Sequence, residues 1–117
     1  MTEETLTQLL RDTARQDRAA FRDVYRLTSA KLSGVLGRML RDKSEVEDAL
    51  QDVYIRVWKR AAQFDPARGT ATGWLVTIAR NHALDRLRAR NQARGYARVD
   101  PLPGAPGDDP VARLPAR

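Results

Sequence analysis

Residues 44–90 read SEVEDALQDVYIRVWKRAAQFDPARGTATGWLVTIARNHALDRLRAR, and the apolar spacing in this stretch decides the fold class. Val46, Leu50, Val53, Tyr54, Val57 and Ala61 recur at steps of three and four residues, which predicts a helix with one core-facing arc. Ser44 and Glu47 stand at capping-box spacing, so the helix is expected to open with Ser44 as its N-cap. It is expected to end near Gln63, ahead of Phe64-Asp65-Pro66. A further helix is expected from about Thr70 to about Ala93, with Gly95 as terminator, a rod of roughly 36 Å.

Upstream, Asp17 is a plausible N-cap for a helix carrying Phe21, Val24, Tyr25, Thr28, Leu32, Val35, Leu36 and Met39 as its core stripe. Gly34 and Gly37 interrupt that helix; they are either tolerated or permit a close helix crossing. A short first helix, roughly residues 3–15, places Leu6, Leu9 and Leu10 on one side and is expected to pack as a lid. From Asp100 onward the chain holds five of its six prolines and no apolar periodicity, the composition of a linker or disordered tail. The expected architecture is all-α: a compact bundle of about four helices with a disordered, Pro/Gly-rich C-terminal tail. The expected division is 1–16 for the N-terminal helix, 17–98 for the main domain and 99–117 for the tail.

A chain of 117 residues, 42% apolar, suffices for one domain. It has no Cys, which removes disulfides, thiolate metal clusters and thiol chemistry and suits a cytoplasmic location. Apolar runs are too short for a membrane span, and Met1 to Arg11 lacks a signal peptide's apolar segment. Charge is unevenly spread: residues 64–99 hold 7 Lys+Arg against 2 Asp+Glu, whereas residues 1–63 hold 12 against 10. A local positive segment is the footprint of a polyanion contact, or else a solvated Arg-rich helix.

Two helix faces are unusual. Opposite the core, Asp48, Gln51, Asp52, Ile55 and Lys59 form a continuous patch with Trp58 at its margin. An apolar anchor ringed by polar groups has the make-up of a docking surface, although a lone outward Ile is also common on ordinary solvent faces. On the last helix, Trp74, Thr77, Asn81, Asp85 and Arg88 share an arc of roughly 80°. An aromatic plate, an amide, a hydroxyl and a guanidinium together suit bases taken out of the stack; core packing of Trp74 is the plain alternative. In the intervening loop, Thr70 and Thr72, with free N–H groups at the helix start, are candidates to hold a phosphate or a splayed base; a simple Thr70 cap is the other reading.

Enzyme constellations are thin. The single His, His82, lies on or beside the apolar arc and reads as a packed core histidine rather than a ligand. Asp48 and Asp52 lack a second acidic cluster or a base, and no phosphate loop or nucleophile elbow occurs. The chain reads as a non-enzyme with no cofactor and no metal site.

The run Glu47 to Trp58, followed by Phe64-Asp65-Pro66 and then Gly73 to Arg88, strongly resembles region 2 of bacterial sigma factors, most closely the extracytoplasmic-function group. The likeness covers about residues 17–95, with Ala20-Phe21 and Tyr25 similar to that group's opening segment. It implies docking on the largest catalytic subunit of core RNA polymerase through Asp48, Gln51, Asp52, Ile55 and Arg56. It also implies capture of the non-template strand of the minus-ten promoter element, one base flipped into a pocket, by Phe64, Arg68, Trp74, Thr77, Arg80, Asn81 and Arg88. An anti-sigma factor is the further partner implied, and a chain held mainly by such an inhibitor is the alternative function. The group's second helical domain, which reads the minus-thirty-five element, has no counterpart in this sequence.

Overall fold

The computed structural model describes residues 2–93. Helix α1 (Glu3–Ala14) is followed by α2 (Arg18–Met39), α3 (Lys43–Arg60), a 3-10 turn (Ala61–Gln63) and α4 (Ala71–Ala93), and no strand occurs among the described residues. The chain divides into two units, Met1–Ala83 and Leu84–Arg117. The expected terminator Gly95 and the expected tail 99–117 lie outside the described residues.

Each helix start has a local chemical cause. Thr2 accepts from Thr5 N at 3.1 Å, and Glu3 and Glu4 place negative charge at the positive end of α1. Asp17 accepts from Ala19 N and Ala20 N, at 3.0 and 3.1 Å, confirming it as the cap of α2. Helix α3 corrects the sequence reading: its N-cap is Asp42, which accepts from Ser44 N at 3.2 Å, so Ser44 lies inside the first turn. An ionised acceptor at Asp42 both bonds more strongly than a hydroxyl and complements the helix dipole, and nucleation therefore begins one residue before Ser44.

Between α1 and α2 the chain turns without slack. Gln16 N donates to Thr13 O at 2.9 Å and Asp17 N to Asp12 O at 3.1 Å, the paired bonds of a Schellman ending. Gln16 takes the left-handed position, with φ of 72°, where glycine is usual; the strain is about 1–2 kcal/mol.

The core is built from Leu6 and Leu10 of α1, Val24, Leu32 and Leu36 of α2, Val53 and Val57 of α3, and Leu75 and Ala79 of α4, all fully or almost fully buried. Helix α1 is thus part of the core and not a cover laid over it; it packs on α2, α3 and the 3-10 turn. The stripes are narrower than expected. Tyr25 is 45% exposed and Phe21, Val35, Met39 and Leu50 are half-buried, while the small Ala20 and Ala49 are inside. A Cβ added at Gly34 or Gly37 would meet no atom of another element within 4 Å, so no close helix crossing occurs there.

Helices α2 and α3 run antiparallel, since Phe21 meets Trp58 and Tyr25 meets Tyr54. Their seam contains one polar pair. Thr28 donates to Val24 O at 2.6 Å, and its hydroxyl lies 2.5 Å from the Tyr54 hydroxyl. A threonine hydroxyl has one hydrogen, so Tyr54 is the donor to Thr28. Burial pushes the Tyr54 phenol up to about 12 from an ordinary 10.0.

Three outcomes follow. Asp42→Ala costs about 1 kcal/mol in urea unfolding, and Ser44→Ala stays within about 0.5 kcal/mol; a reversed order assigns the cap to Ser44. Thr28→Val strands the Tyr54 hydroxyl and costs about 1–3 kcal/mol, Tyr54→Phe costs about 1, and the double variant costs less than their sum. Because the unfolded phenol ionises first, stability from Tyr54 is intact below about pH 10 and is lost as pH rises toward about 12; Tyr54→Phe flattens this alkaline limb.

Candidate functional site

The outward side of α3 is set by its inward side. With Val46, Ala49, Val53, Tyr54 and Val57 buried, helical spacing turns Asp48, Gln51 and Ile55 to solvent, and all three are exposed, Ile55 at 52%. Arg56 is half-buried. Asp52 is directed differently from its neighbours: its Oδ2 lies 3.3 Å from His82 Nε2 on α4. His82 is buried at 7% exposure, as a packed histidine, yet it joins α3 to α4 through a carboxylate at the edge of the candidate docking face. The two residues are 30 positions apart, so no local pattern signals the contact.

Beside Ile55 lies an aromatic groove. Phe21, Tyr25, Tyr54 and Trp58 line it together with Gln51, Ile55, Arg18 and Arg22. Its rings interlock: Phe21 stands edge-on to Trp58 at 5.1 Å and 61°, and Tyr25 lies 4.7 Å from Tyr54 at 58°. Phe21 and Tyr25, expected in the core stripe, are thereby assigned to a surface cleft. Helical spacing gave no signal of this, since both aromatics share a stripe with the buried Val24, Thr28 and Leu32.

The start of α4 carries the second set. Ala71, Leu75, Ile78, Ala79, His82 and Ala83 are buried, which leaves Thr77, Arg80 and Asn81 exposed and Trp74 half-buried. Trp74 meets Phe64 across the loop at 5.6 Å and 53°, so two of the expected strand-contacting residues are brought together. The loop is stiffened by Asp65, which accepts from Ala67 N through its side chain and from Arg68 N through its carbonyl, both at 2.9 Å. Arg68 is exposed, and neither Arg68 nor Arg80 has a carboxylate partner among the described residues. Arg88 belongs to the second unit, where it pairs with Asp85 at 3.4 Å.

The helix start itself corrects an expectation. Ala71 N and Thr72 N, at 2.9 and 3.3 Å, donate to Oε1 of Glu3, and the Thr72 hydroxyl donates to Oε2. Gly73 N donates to the Thr70 hydroxyl at 3.0 Å, and Trp74 N to Thr70 O at 3.0 Å. Thr70 is therefore a cap, and the N–H groups read as open to phosphate are already taken. The Thr72 hydroxyl, aided by the two backbone donors, holds the Glu3 carboxyl below the usual carboxylate range. Glu3 was invisible to sequence reasoning because its partners lie 68 and 69 residues away.

Among the described residues no cluster of metal-ligating side chains occurs, and no helix is long and apolar enough to cross a membrane. A family model described as sigma-70 region 2 matches residues 24–93. The chain is 40% identical over 113 residues to the ECF RNA polymerase sigma factor SigK of Mycobacterium tuberculosis (strain ATCC 25618 / H37Rv), covering 92% of this chain and 60% of that protein. It is 40% identical over 110 residues to SigK of Mycolicibacterium vanbaalenii, covering 89% and 56%. SigK of Mycobacterium sp. (strain KMS) is 38% identical over 102 residues, covering 82% and 53%. The chain thus spans between half and two thirds of the length of these curated relatives. A helical body whose exposed faces fall on the matched segment agrees with that likeness, and the chain belongs to the sigma-70 region 2 family in the form carried by ECF sigma factors.

Proposed function

We propose that the chain serves transcription initiation as a region 2 module, docking on the largest catalytic subunit of core RNA polymerase and melting the minus-ten promoter element. The observation that carries this reading is a pair of exposed faces on one compact unit. One is Asp48, Gln51 and Ile55 on α3; the other is Trp74, Thr77, Arg80 and Asn81 on α4. Asp52 and Arg56 flank the first face, and Phe64 and Arg68 the second, with Arg88 further along α4. The aromatic groove enlarges the docking surface toward α2, giving Ile55 apolar neighbours for a partner helix to cover.

In this mechanism the chain supplies binding energy and polymerase supplies the chemistry. Opening base pairs costs a few kcal/mol per step, offset by stacking of unpaired bases on aromatic side chains at about 1–3 kcal/mol per base. Trp74, steadied by Phe64, is the platform, and Asn81 and Thr77 present donors and acceptors to base edges. Arg68 and Arg80 meet backbone phosphates, which makes capture weaken as salt rises. The chain's place of work is the cytoplasm, with polymerase and promoter DNA.

A second reading rests on the groove. An anti-sigma factor laid across Ile55 and Trp58 would occupy the polymerase face and leave the chain with little promoter activity of its own. Helix α1 offers such a partner little, because Leu6 and Leu10 are already buried within this chain.

The test is fluorescence anisotropy of the full chain with core polymerase and with a single-stranded minus-ten oligonucleotide. Ile55→Ser weakens polymerase binding about tenfold or more and leaves the oligonucleotide unaffected. Asn81→Ala weakens sequence-dependent capture of the oligonucleotide about tenfold and spares polymerase. If neither variant separates the two affinities, the assignment of faces is wrong. A folded chain that binds no polymerase, and that recovers a small inhibitor from its source cell, shifts the function to the anti-sigma reading.

A further inference from the structure

Residues 1–23 lie outside the segment that the family model matches, yet α1 touches both ends of the loop 64–70. At one end it packs against the 3-10 turn Ala61–Gln63 that leads into Phe64. At the other, Glu3 takes the N–H groups of Ala71 and Thr72 and the Thr72 hydroxyl.

We infer that α1 is a brace for the strand-capturing loop and that Glu3 is a positioning residue for Trp74. The inference rests on the strand-capturing role proposed above. Loops of this kind are ordinarily held by their own turns, and the Asp65 turn does part of that work. What the local turns leave open is the direction in which α4 departs, and hence where Trp74 stands relative to Phe64. The three donors of the first turn of α4 are divided between a local cap, Thr70, and a distant one, Glu3. Thr70 alone leaves Ala71 N without a partner, and Ala71 is fully buried, so water is a poor substitute for the carboxylate. Gly73 keeps the local cap tight, because an added Cβ would stand 3.0 Å from the Thr70 hydroxyl oxygen.

Glu3 also fits its task from its own side. It stands in the first turn of α1, and the burial of Leu6 and Leu10, each at 0% exposure, fixes the rotation of that helix. The carboxylate thus arrives at α4 on a rigid arm and not on a loose terminus. Because one oxygen serves two backbone donors and the other serves the hydroxyl, both the position and the orientation of the α4 entrance are specified.

Emission is read in the full chain carrying Trp58→Phe, so that Trp74 is the single tryptophan and reports its own surroundings, and the two affinities are read in the full chain with Trp58 kept. Glu3→Ala is expected to shift Trp74 emission and to weaken capture of the single-stranded minus-ten oligonucleotide about five- to tenfold, with polymerase affinity within about twofold of the parent. Glu3→Gln, which keeps an acceptor, recovers part of both signals. Thr72→Val added to Glu3→Ala changes little further, since both remove one interaction. The inference is overturned if Trp74 emission and strand capture keep their parent values in Glu3→Ala, or if strand and polymerase affinities fall by the same factor. Should Glu3→Ala fail to fold, Glu3→Gln and Thr72→Val singly carry the same comparison. Should the parent itself not capture the strand, the proposed function fails, and the Trp74 emission of the Glu3 and Thr72 variants still decides whether the brace exists.

Discussion

The bond between Thr28 and Tyr54 is the contact on which the arrangement of the exposed surfaces depends. Apolar side chains along the α2–α3 seam would tolerate sliding or rotation by small amounts, since dispersion contacts are many and weak. A hydroxyl pair at 2.5 Å in a buried seam tolerates neither, because a displaced partner is left unsatisfied away from water. With Tyr54 pinned by its tip, its ring becomes the floor against which Phe21 and Tyr25 rest. Gln51 and Ile55, one turn before Tyr54 and immediately after it, then have no choice of direction. The face that carries the proposed docking role is in this sense an exterior consequence of an interior hydrogen bond.

Helix number, helix type and the position of the loop were all legible in the sequence, for the reason that they rest on local periodicity and on one strong breaker, Pro66. Asp17 was legible because a cap acts within three residues. What escaped reading was mostly long-range. Glu3 and the Asp52–His82 contact join residues that no spacing rule relates. Ala20 and Ala49 are buried, yet small side chains contribute little to an apolar pattern. The cap of α3 differs for another reason: two acceptors, Asp42 and Ser44, stand near the helix start, and the capping-box spacing belongs to the neutral one while the charged one takes the bond. Among the candidate site residues, the exposure of Thr77 and Asn81 was legible from helical spacing, while the groove formed with α2 was not, because its aromatics share a stripe with true core residues.

The contacts of α4 show how one helix serves two purposes. Its inner residues Leu75, Ile78, Ala79 and Ala83 bury apolar surface, and its outer residues Thr77, Arg80 and Asn81 are left polar and unencumbered. His82 is the exception on the inner side, a titratable ring placed against a carboxylate of α3. Through it, the helix that faces DNA in the proposed function has a polar link to the helix that faces polymerase.

The joint between α1 and α2 has an implication for how this family member tolerates length variation. Asp17 is at once the residue whose N–H closes α1 and the cap of α2, so the three residues that join the two helices, Arg15, Gln16 and Asp17, are all committed to helix ends. A single inserted residue there would separate the bonds to Asp12 O and Thr13 O that end α1 from the Asp17 cap that starts α2. Leu6 and Leu10 would leave their seats, and the N-terminal segment would be converted from a structural member into a dangling arm. Insertions and deletions are therefore excluded from this joint far more strictly than substitutions are, and a fusion partner belongs before Thr2 and not within the turn.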